Sequence, residues 1–475
     1  MTFLNRTETL ETSTGWNAED LPKLWLYNAH YFDDLVADDC GSRTEWHRNL
    51  ITRWIAENPP GTGNGWEPYP TSLRIVNWAK WLLCGNPSVP GMLVSLATQA
   101  DWLTKRLEHH LLGNHLFANA KALVFAGSVL DAAPARQWLE TGMELLDREI
   151  PEQILTDGGH FERSIMYHAI LTEDMLDLVQ LAQFAPDDIG EQRLRNWRAR
   201  CEQMLYFLTS LTHPDGRIAF FNDGAFGIAP EPDALIAMAE ALGVSSTQPD
   251  ASTVRFTETG YASLRTPRAT LLTDVAPIGP DYLPGHAHAD TLSFELSIDG
   301  QRIFVNGGTS VYGGDPEQRH LERSTRNHNT IEIDGDNSSE IWSDFRVARR
   351  AKVESVQAGQ EGSTQWLQAS HDGYRRNSGP IHTRRWELTD TSLKIHDTLD
   401  RPANEAIARF RLHPDLSSTS DTITGSTPIQ VRVSGGSISV EPGVWSPEFG
   451  KTLPCEILTL RLTGQESTVT FTWDA

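Results

Sequence analysis

Two periods of hydrophobic spacing divide this chain. From about residue 15 to 245, apolar side chains recur at i, i+3, i+4 and i+7, the stripe of a helix with one buried face. The spacing predicts helices over Arg43–Glu57, Thr71–Leu83, Leu93–Leu112, Arg136–Arg148, Glu162–Phe184, Arg193–Leu211 and Asp233–Leu242. Clusters of Gly, Pro and Asn break them at Asn58–Gly65, Asn86–Gly91 and Asp157–Gly159. Helices joined by short connections predict a bundle, a solenoid or a toroid. No fixed-period repeat is evident.

After Ser246–Asp250 the period becomes two. Strands are predicted over Val254–Leu264, Ala269–Val275, Thr291–Ile298, Arg302–Val305, Thr330–Ile333, Ala351–Val356, Thr383–Leu388, Leu393–His396, Ala406–Leu412, Ile429–Val433 and Ile457–Leu462. Turns at Asp299-Gly300, Asp334-Gly335 and Ser434–Gly436 separate some of them. A run of helices followed by a run of strands is an α+β, multidomain arrangement. The expected division is a helical domain over 1–248 and an antiparallel β-sandwich-type domain over 249–475. A chain of 475 residues holds two or more domains at roughly 150 residues each. Binding sites often form where such domains meet, so the cleft is expected there.

Composition narrows the partners. The net charge is −23, which argues against nucleic acid and opposes long-range attraction of a polyanion. The basic residues are nevertheless clumped at Arg323–Arg326, Arg346–Arg350, Arg375-Arg376 and Arg384-Arg385. These clusters are either a local basic cleft or solvated faces and surface ion pairs. No apolar run is long enough to span a membrane. Cys40, Cys84, Cys201 and Cys455 are scattered and form neither a metal motif nor a disulfide framework. The first residues lack the charged-then-apolar pattern of a secretory signal, so a cytoplasmic chain is expected as written. A trimmed chain would look the same, and would be periplasmic or secreted. Fifteen Trp are many. Flat rings suit sugar faces, although most are expected in the core.

Five segments carry candidate chemistry. Pro284-Gly-His-Ala-His-Ala-Asp290 precedes the predicted strand Thr291–Ile298. If that strand begins a little early, His286 and His288 point to one face, a pattern suited to a metal or to one proton-handling and one metal-binding imidazole. Gly113-Asn-His115 follows a predicted helix end, with Asn119 about one turn further. That group is either capping or a neutral donor for a carboxylate. In Phe161-Glu-Arg-Ser164 and Tyr167, a helix from Glu162 would place Arg163 and Tyr167 at i, i+4, a plausible proton shuttle or a simple surface hydrogen bond. Trp66, Glu67 and Tyr69 follow a Gly-rich loop as a sugar platform or a packed helix start. Arg326, Asn327 and His328 lead into a predicted strand, and His328 is placed to join His288 at a metal.

Taken in order, Leu24–Phe32, Gly65–Pro70, Gly113–His115, Phe161–Ser164 with Tyr167, His286–Asp290 and His328–Thr330 resemble the heparinase II/III family of polysaccharide lyases, most of all its bacterial, exopolysaccharide-associated branch. The resemblance runs from about Leu24 to Val353. It implies an incomplete α/α toroid followed by an antiparallel β-sandwich. It also implies β-elimination at a uronic acid: the C5 proton is removed, the 4-linked sugar leaves, and an unsaturated uronate remains. Carried over by motif, Asn114 and His115 meet the substrate carboxylate, Tyr167 is general acid and base, and His286 assists. Trp66, Glu67, Tyr69, Asn119, Arg163, Arg326 and Asn327 are candidate substrate contacts. His288 and His328 match metal positions of some members, whose third ligand is an Asp where this chain has Asn306. No cofactor is required on this reading, and any zinc would be structural. The implied partner is an acidic polysaccharide, with Arg163, Arg323 and Arg326 as candidate cleft cations. Two other readings stand beside it: a glycoside hydrolase using two of Glu67, Asp157 and Glu162, and a glycan-binding or assembly protein without activity.

Overall fold

The computed structural model describes residues 1–249 and 252–474. Asp250, at the end of the expected Ser246–Asp250 connection, lies outside the described residues. The helical part holds α1 (Lys23–Tyr31), α2 (Thr44–Glu57), α3 (Pro68–Leu83), α4 (Met92–Thr104), α5 (Gly113–Val129), α6 (Ala135–Gln153), α7 (Ile165–Phe184), the short α8 (Pro186–Ile189), α9 (Glu191–Ser210) and α10 (Pro232–Ala241). One further helix, α11 (Pro316–Arg323), interrupts the strand-rich part. Compactness divides the chain differently from secondary structure. One unit is Met1–Gln153 with Asp174–Trp197, and the other is Ile154–Glu173 with Arg198–Ala475.

Tryptophan fills the first unit. Trp16, Trp25, Trp54, Trp66, Trp78, Trp81 and Trp138 are all buried. Trp54 packs edge-on against Trp78 with ring centroids 5.5 Å apart. Buried His30 accepts from Trp54 Nε1 at 2.9 Å. Gly65 lies against that ring, and a Cβ there would stand 2.5 Å from His30 Nδ1. Pro68 opens α3, where its missing N–H has no helical partner to lose.

The second unit is mainly antiparallel sheet. Strands Thr253–Phe256, Tyr261–Arg265, Ala269–Asp274, Phe294–Ile298 and Gln301–Phe304 pair in chain order. A four-stranded and an eight-stranded sheet are built from later strands. Inner faces of the three sheets share one core that includes Phe294, Phe304, Trp386, Phe410, Phe471 and Trp473. The expected helices-then-sandwich order is therefore present. Some boundaries differ. The predicted helix Leu93–Leu112 stops at Thr104, and Val254–Leu264 is a hairpin of two strands rather than one. The sequence reading lacks several short strands and the long ones Thr364–His371, Gly436–Glu448 and Glu466–Trp473. Strand Gly436–Glu448 carries Pro442 and Gly443 and is largely exposed, so its sequence reads as a loop.

Candidate active site

The Gly-His-Ala-His-Ala-Asp motif is not a strand. Strand geometry begins only at Phe294, and Leu292 has a φ of +63°. The alternation nevertheless sorts its side chains. Ala287 and Ala289 pack in a small apolar cluster with Ile278, Ile341 and Val347. His286 and His288 both reach one carboxylate: His286 Nδ1 lies 2.9 Å from Asp223 Oδ2, and His288 Nε2 lies 2.8 Å from Oδ1.

Asp223 was not singled out from sequence, because it sits in an irregular segment 63 and 65 residues before its two partners. The backbone aligns it. Asp223 N–H donates to His286 O, His288 N–H donates to Asn222 Oδ1, and Asn222 N–H donates to Asp290 Oδ2. Arg319 of α11 closes the group with both terminal nitrogens on Asp223. Burial opposes ionisation of Asp223. The Arg319 charge and the donors on His286 and His288 outweigh it and hold the carboxyl well below its ordinary range. An ionised Asp223 favours a proton on His286 Nδ1.

Tyr167 lies on the first turn of α7. Its ring stacks on that of His286, centroids 3.8 Å apart and planes 27° apart. Its hydroxyl is 3.1 Å from that of Tyr312. Burial, with Asp223 and Tyr167 nearby, pushes the Tyr312 phenol well above its ordinary value, so Tyr312 keeps its proton. The carboxylate of buried Glu162 stands 3.3 Å from His286 Nε2. His286 thus has a carboxylate on each ring nitrogen.

Arg163 does not pair with Tyr167 as expected. The helix starts at Ile165, not Glu162, and Arg163 has a left-handed φ of +59°. Its guanidinium donates to the carbonyls of Thr259 and Glu258. Asn327 likewise faces inward, accepting from Arg411 Nη2 at 2.7 Å and donating to Glu322 O. Arg323 is wholly buried on backbone carbonyls. Of these second-unit polar residues, Arg326 is exposed. Most arginines of the other basic clusters are held in ion pairs. Arg349, Arg350, Arg375 and Arg385 pair with Glu340, Asp281, Asp400 and Glu387, and Arg384 is buried on Asp397.

In the first unit, Asn114 and His115 open α5 after two left-handed residues, Leu112 and Gly113. Asn114 is buried and His115 partly exposed. Glu108, also absent from the sequence reading, takes His115 Nδ1 at 3.0 Å on one oxygen and Asn119 Nδ2 at 3.0 Å on the other. Asn119 Oδ1 accepts from Glu108 N–H. Asn119 is buried and braces Glu108. Tyr69 lies over the His115 ring at 4.4 Å. Trp66 is core, donating to Asn58 O, so the sugar platform expected there reduces to Tyr69 and Glu67. Glu67 binds the Tyr27 hydroxyl and lies 3.0 Å from Lys23 Nζ.

The zinc expectation meets an incomplete donor set. His288 Nδ1 and His328 Nε2 face each other at 3.1 Å, with His328 Nδ1 on Ser324 O. Burial pushes both imidazoles below their ordinary value. Asn306 Oδ1 instead accepts from Asn329 N–H. Among the described residues no three His, Cys, Asp or Glu group to hold a metal. Two nitrogens fall short of the three or four protein ligands of a zinc site, so no step is assigned to a metal.

A run of helices is followed by antiparallel sheets, and in the second unit a stacked Tyr–His pair is braced by a buried Asp–Arg pair. The chain belongs to the heparinase II/III family. The family's N-terminal domain matches residues 51–229, and its heparinase II/III-like C-terminal domain matches residues 248–474. A heparin-sulfate lyase of Bacteroides thetaiotaomicron is 27% identical over 379 residues, 68% of this chain and 51% of the relative. One of Pedobacter heparinus is 25% identical over 321 residues, 60% of this chain and 47% of that relative. The chain thus spans about half the length of these curated relatives. FtsZ-localized protein C of Caulobacter vibrioides is 27% identical over 360 residues, 70% of this chain and 58% of that protein. The crystal structure of a heparinase III superposes with a TM-score of 0.74 at 20% identity, covering 99% of this chain and 79% of that one, which supports the toroid-plus-sandwich fold.

Proposed function

We propose that this protein is a polysaccharide lyase that cleaves a uronic-acid-containing acidic polysaccharide by β-elimination. The observation that carries the reading is the Tyr167–His286 stack, with His286 held by Asp223, in a chain of the heparinase II/III family. The relatives named heparin-sulfate lyases support a glycosaminoglycan as the polymer. A self-made exopolysaccharide is the narrower proposal from the sequence resemblance.

Elimination needs three things. The substrate carboxylate must be neutralised so that the C5 proton becomes acidic. A base must take that proton, and an acid must protonate the departing oxygen. Asn114 and His115 are the proposed carboxylate partners, with Glu108 fixing the His115 ring. Tyr167, as its phenolate, takes the C5 proton; the C5–H electron pair becomes the C4–C5 double bond, the C4–O bond breaks with its electrons on the leaving oxygen, and Tyr167 passes the proton to that oxygen and returns to phenolate. A free Tyr, with a pKa of about 10, is a weak base at neutral pH. Tyr312 stays protonated and is placed to donate to the Tyr167 oxygen as charge develops there. His286, with Nδ1 tied to Asp223, supports the same oxygen's surroundings by ring contact and carries Nε2 toward Glu162.

The hydrolase reading loses its carboxylates. Asp157 accepts from Glu258 N–H and Thr259 N–H, Glu162 is held by His286, and Glu67 by Tyr27 and Lys23. A non-catalytic reading has one specific support, the similarity to an FtsZ-localized protein. A screen over acidic polysaccharides decides. Ultraviolet absorbance from a new conjugated double bond, with unsaturated products by mass spectrometry, is expected. Saturated products would indicate hydrolysis, and binding without turnover the non-catalytic reading.

A further inference from the structure

The hairpin Ile341–Trp342 and Arg346–Val347 pairs Trp342 with Arg346 and Ile341 with Val347. Its inner residues, Ile341 and Val347, sit on Ala287 and Ala289 of the histidine motif. Its outer residues include two large exposed rings: Trp342 is 55% and Phe345 39% accessible. Rings of this size are usually buried, because leaving their apolar surface in water is unfavourable.

The tip is not loose. Ser343 holds a left-handed φ of +53°. Arg323 donates to the carbonyls of Ser343 at 2.6 Å and Arg346 at 3.2 Å, while also holding Ala287 O. Arg319 Nε donates to Asp344 O at 3.0 Å, and the same guanidinium clamps Asp223. One arginine therefore fixes both the carboxylate behind His286 and the turn that carries Phe345. The Phe345 ring lies 6.2 Å from the His286 ring and 5.4 Å from Tyr312. An exposed aromatic surface held rigidly beside a proton-transfer pair suits a flat, partly apolar ligand with C–H groups on its face, which a pyranose presents. Preorganisation lowers the ordering cost of binding it.

We infer that the hairpin Ile341–Val347 is a sugar-binding platform: Phe345 stacks the pyranose next to the scissile bond of an acidic glycan, and Trp342 extends the surface to a neighbouring ring. The inference rests on the lyase reading for the position of the bond, and on the exposed rings for the binding.

The test separates the two. In a Tyr167→Phe background, calorimetric Kd values are measured for a heparan sulfate tetrasaccharide and an alginate tetrasaccharide. Phe345→Ala and Trp342→Ala are each expected to weaken the better-bound one about three- to tenfold, the range of a single aromatic stacking contact. Phe345→Trp is expected to stay close to the parent. Both rings lie outside the core, so melting temperatures are expected to hold; should Phe345→Ala fail to fold, Trp342→Ala and Phe345→Trp carry the test. Unchanged Kd values in the alanine variants, or no binding of either tetrasaccharide to the parent, would overturn the platform. Wild-type protein that forms no unsaturated product while the Kd pattern holds would overturn the lyase reading and leave the platform standing. Unsaturated product with unmoved Kd values would do the reverse.

Discussion

Tyr167 lies flat on His286, ring centroids 3.8 Å apart, although 119 positions separate them in sequence. Behind this pair, Asp223 and Arg319 form a buried ion pair that serves the histidine on one side and the Phe345 turn on the other.

Tyr167→Phe removes one hydroxyl and little volume. Turnover is expected to fall by about 10²–10⁴, the usual cost of a missing general acid or base, with Kd for an oligosaccharide nearly unchanged. Initial rates and calorimetry check this. Activity like that of the wild type would take Tyr167 out of the mechanism.

Asp223→Asn keeps the shape and removes the charge. It frees the His286 tautomer and leaves Arg319 buried without its counter-ion, an error that costs about 3–5 kcal/mol in comparable sites. Both a lower rate and a lower melting temperature are expected. A variant that melts like the wild type would show that the Asp223–Arg319 pair contributes little to the fold.

Glu108→Gln tests the brace behind His115. The amide keeps the bond to Asn119 within reach and loses the carboxylate on His115 Nδ1. A higher KM for a uronate oligosaccharide is expected, since the ring loses the acceptor that orients it. An unchanged KM with altered stability alone would make Glu108 purely structural.

Acid should destabilise the protein through its buried histidines. Burial lowers His168 to about 4 and His30 to about 3, and pushes His288, His328, His371 and His382 down as well. These rings fold neutral, so the stability they contribute is complete above the unfolded value of about 6.5 and is lost as pH falls from there toward the folded values. For His168 alone the shift corresponds to about 3 kcal/mol. Melting temperature measured from pH 7.5 down to 4 should decline from about pH 6.5; a flat curve to pH 5 would contradict the burial of these rings.

Much of the fold was legible because it rests on periodicity. Alternation marked most strands, and the turn pairs marked several breaks. The strand Gly436–Glu448 was not, because Pro442 and Gly443 remove the signal while its neighbours supply the pairing. In the site, Tyr167 and His286 were readable from local motifs. Asp223, Glu108, Tyr312 and Arg319 were not, since each acts through contacts made by chain reversal and none stands in a recognisable spacing. For Arg163 and Asn327 the motif does not show the partners, since backbone carbonyls and Arg411 that lie far away in sequence engage them.

The central claim is elimination beside a uronate carboxylate, and one comparison tests it most directly. Initial rates of ultraviolet-absorbing product are measured on a uronate polymer and on the same polymer after carboxyl reduction. The account predicts a rate on the first and essentially none on the second, because without the carboxylate the C5 proton is not acidic and Asn114 and His115 have nothing to neutralise. Equal rates on the two polymers would contradict it.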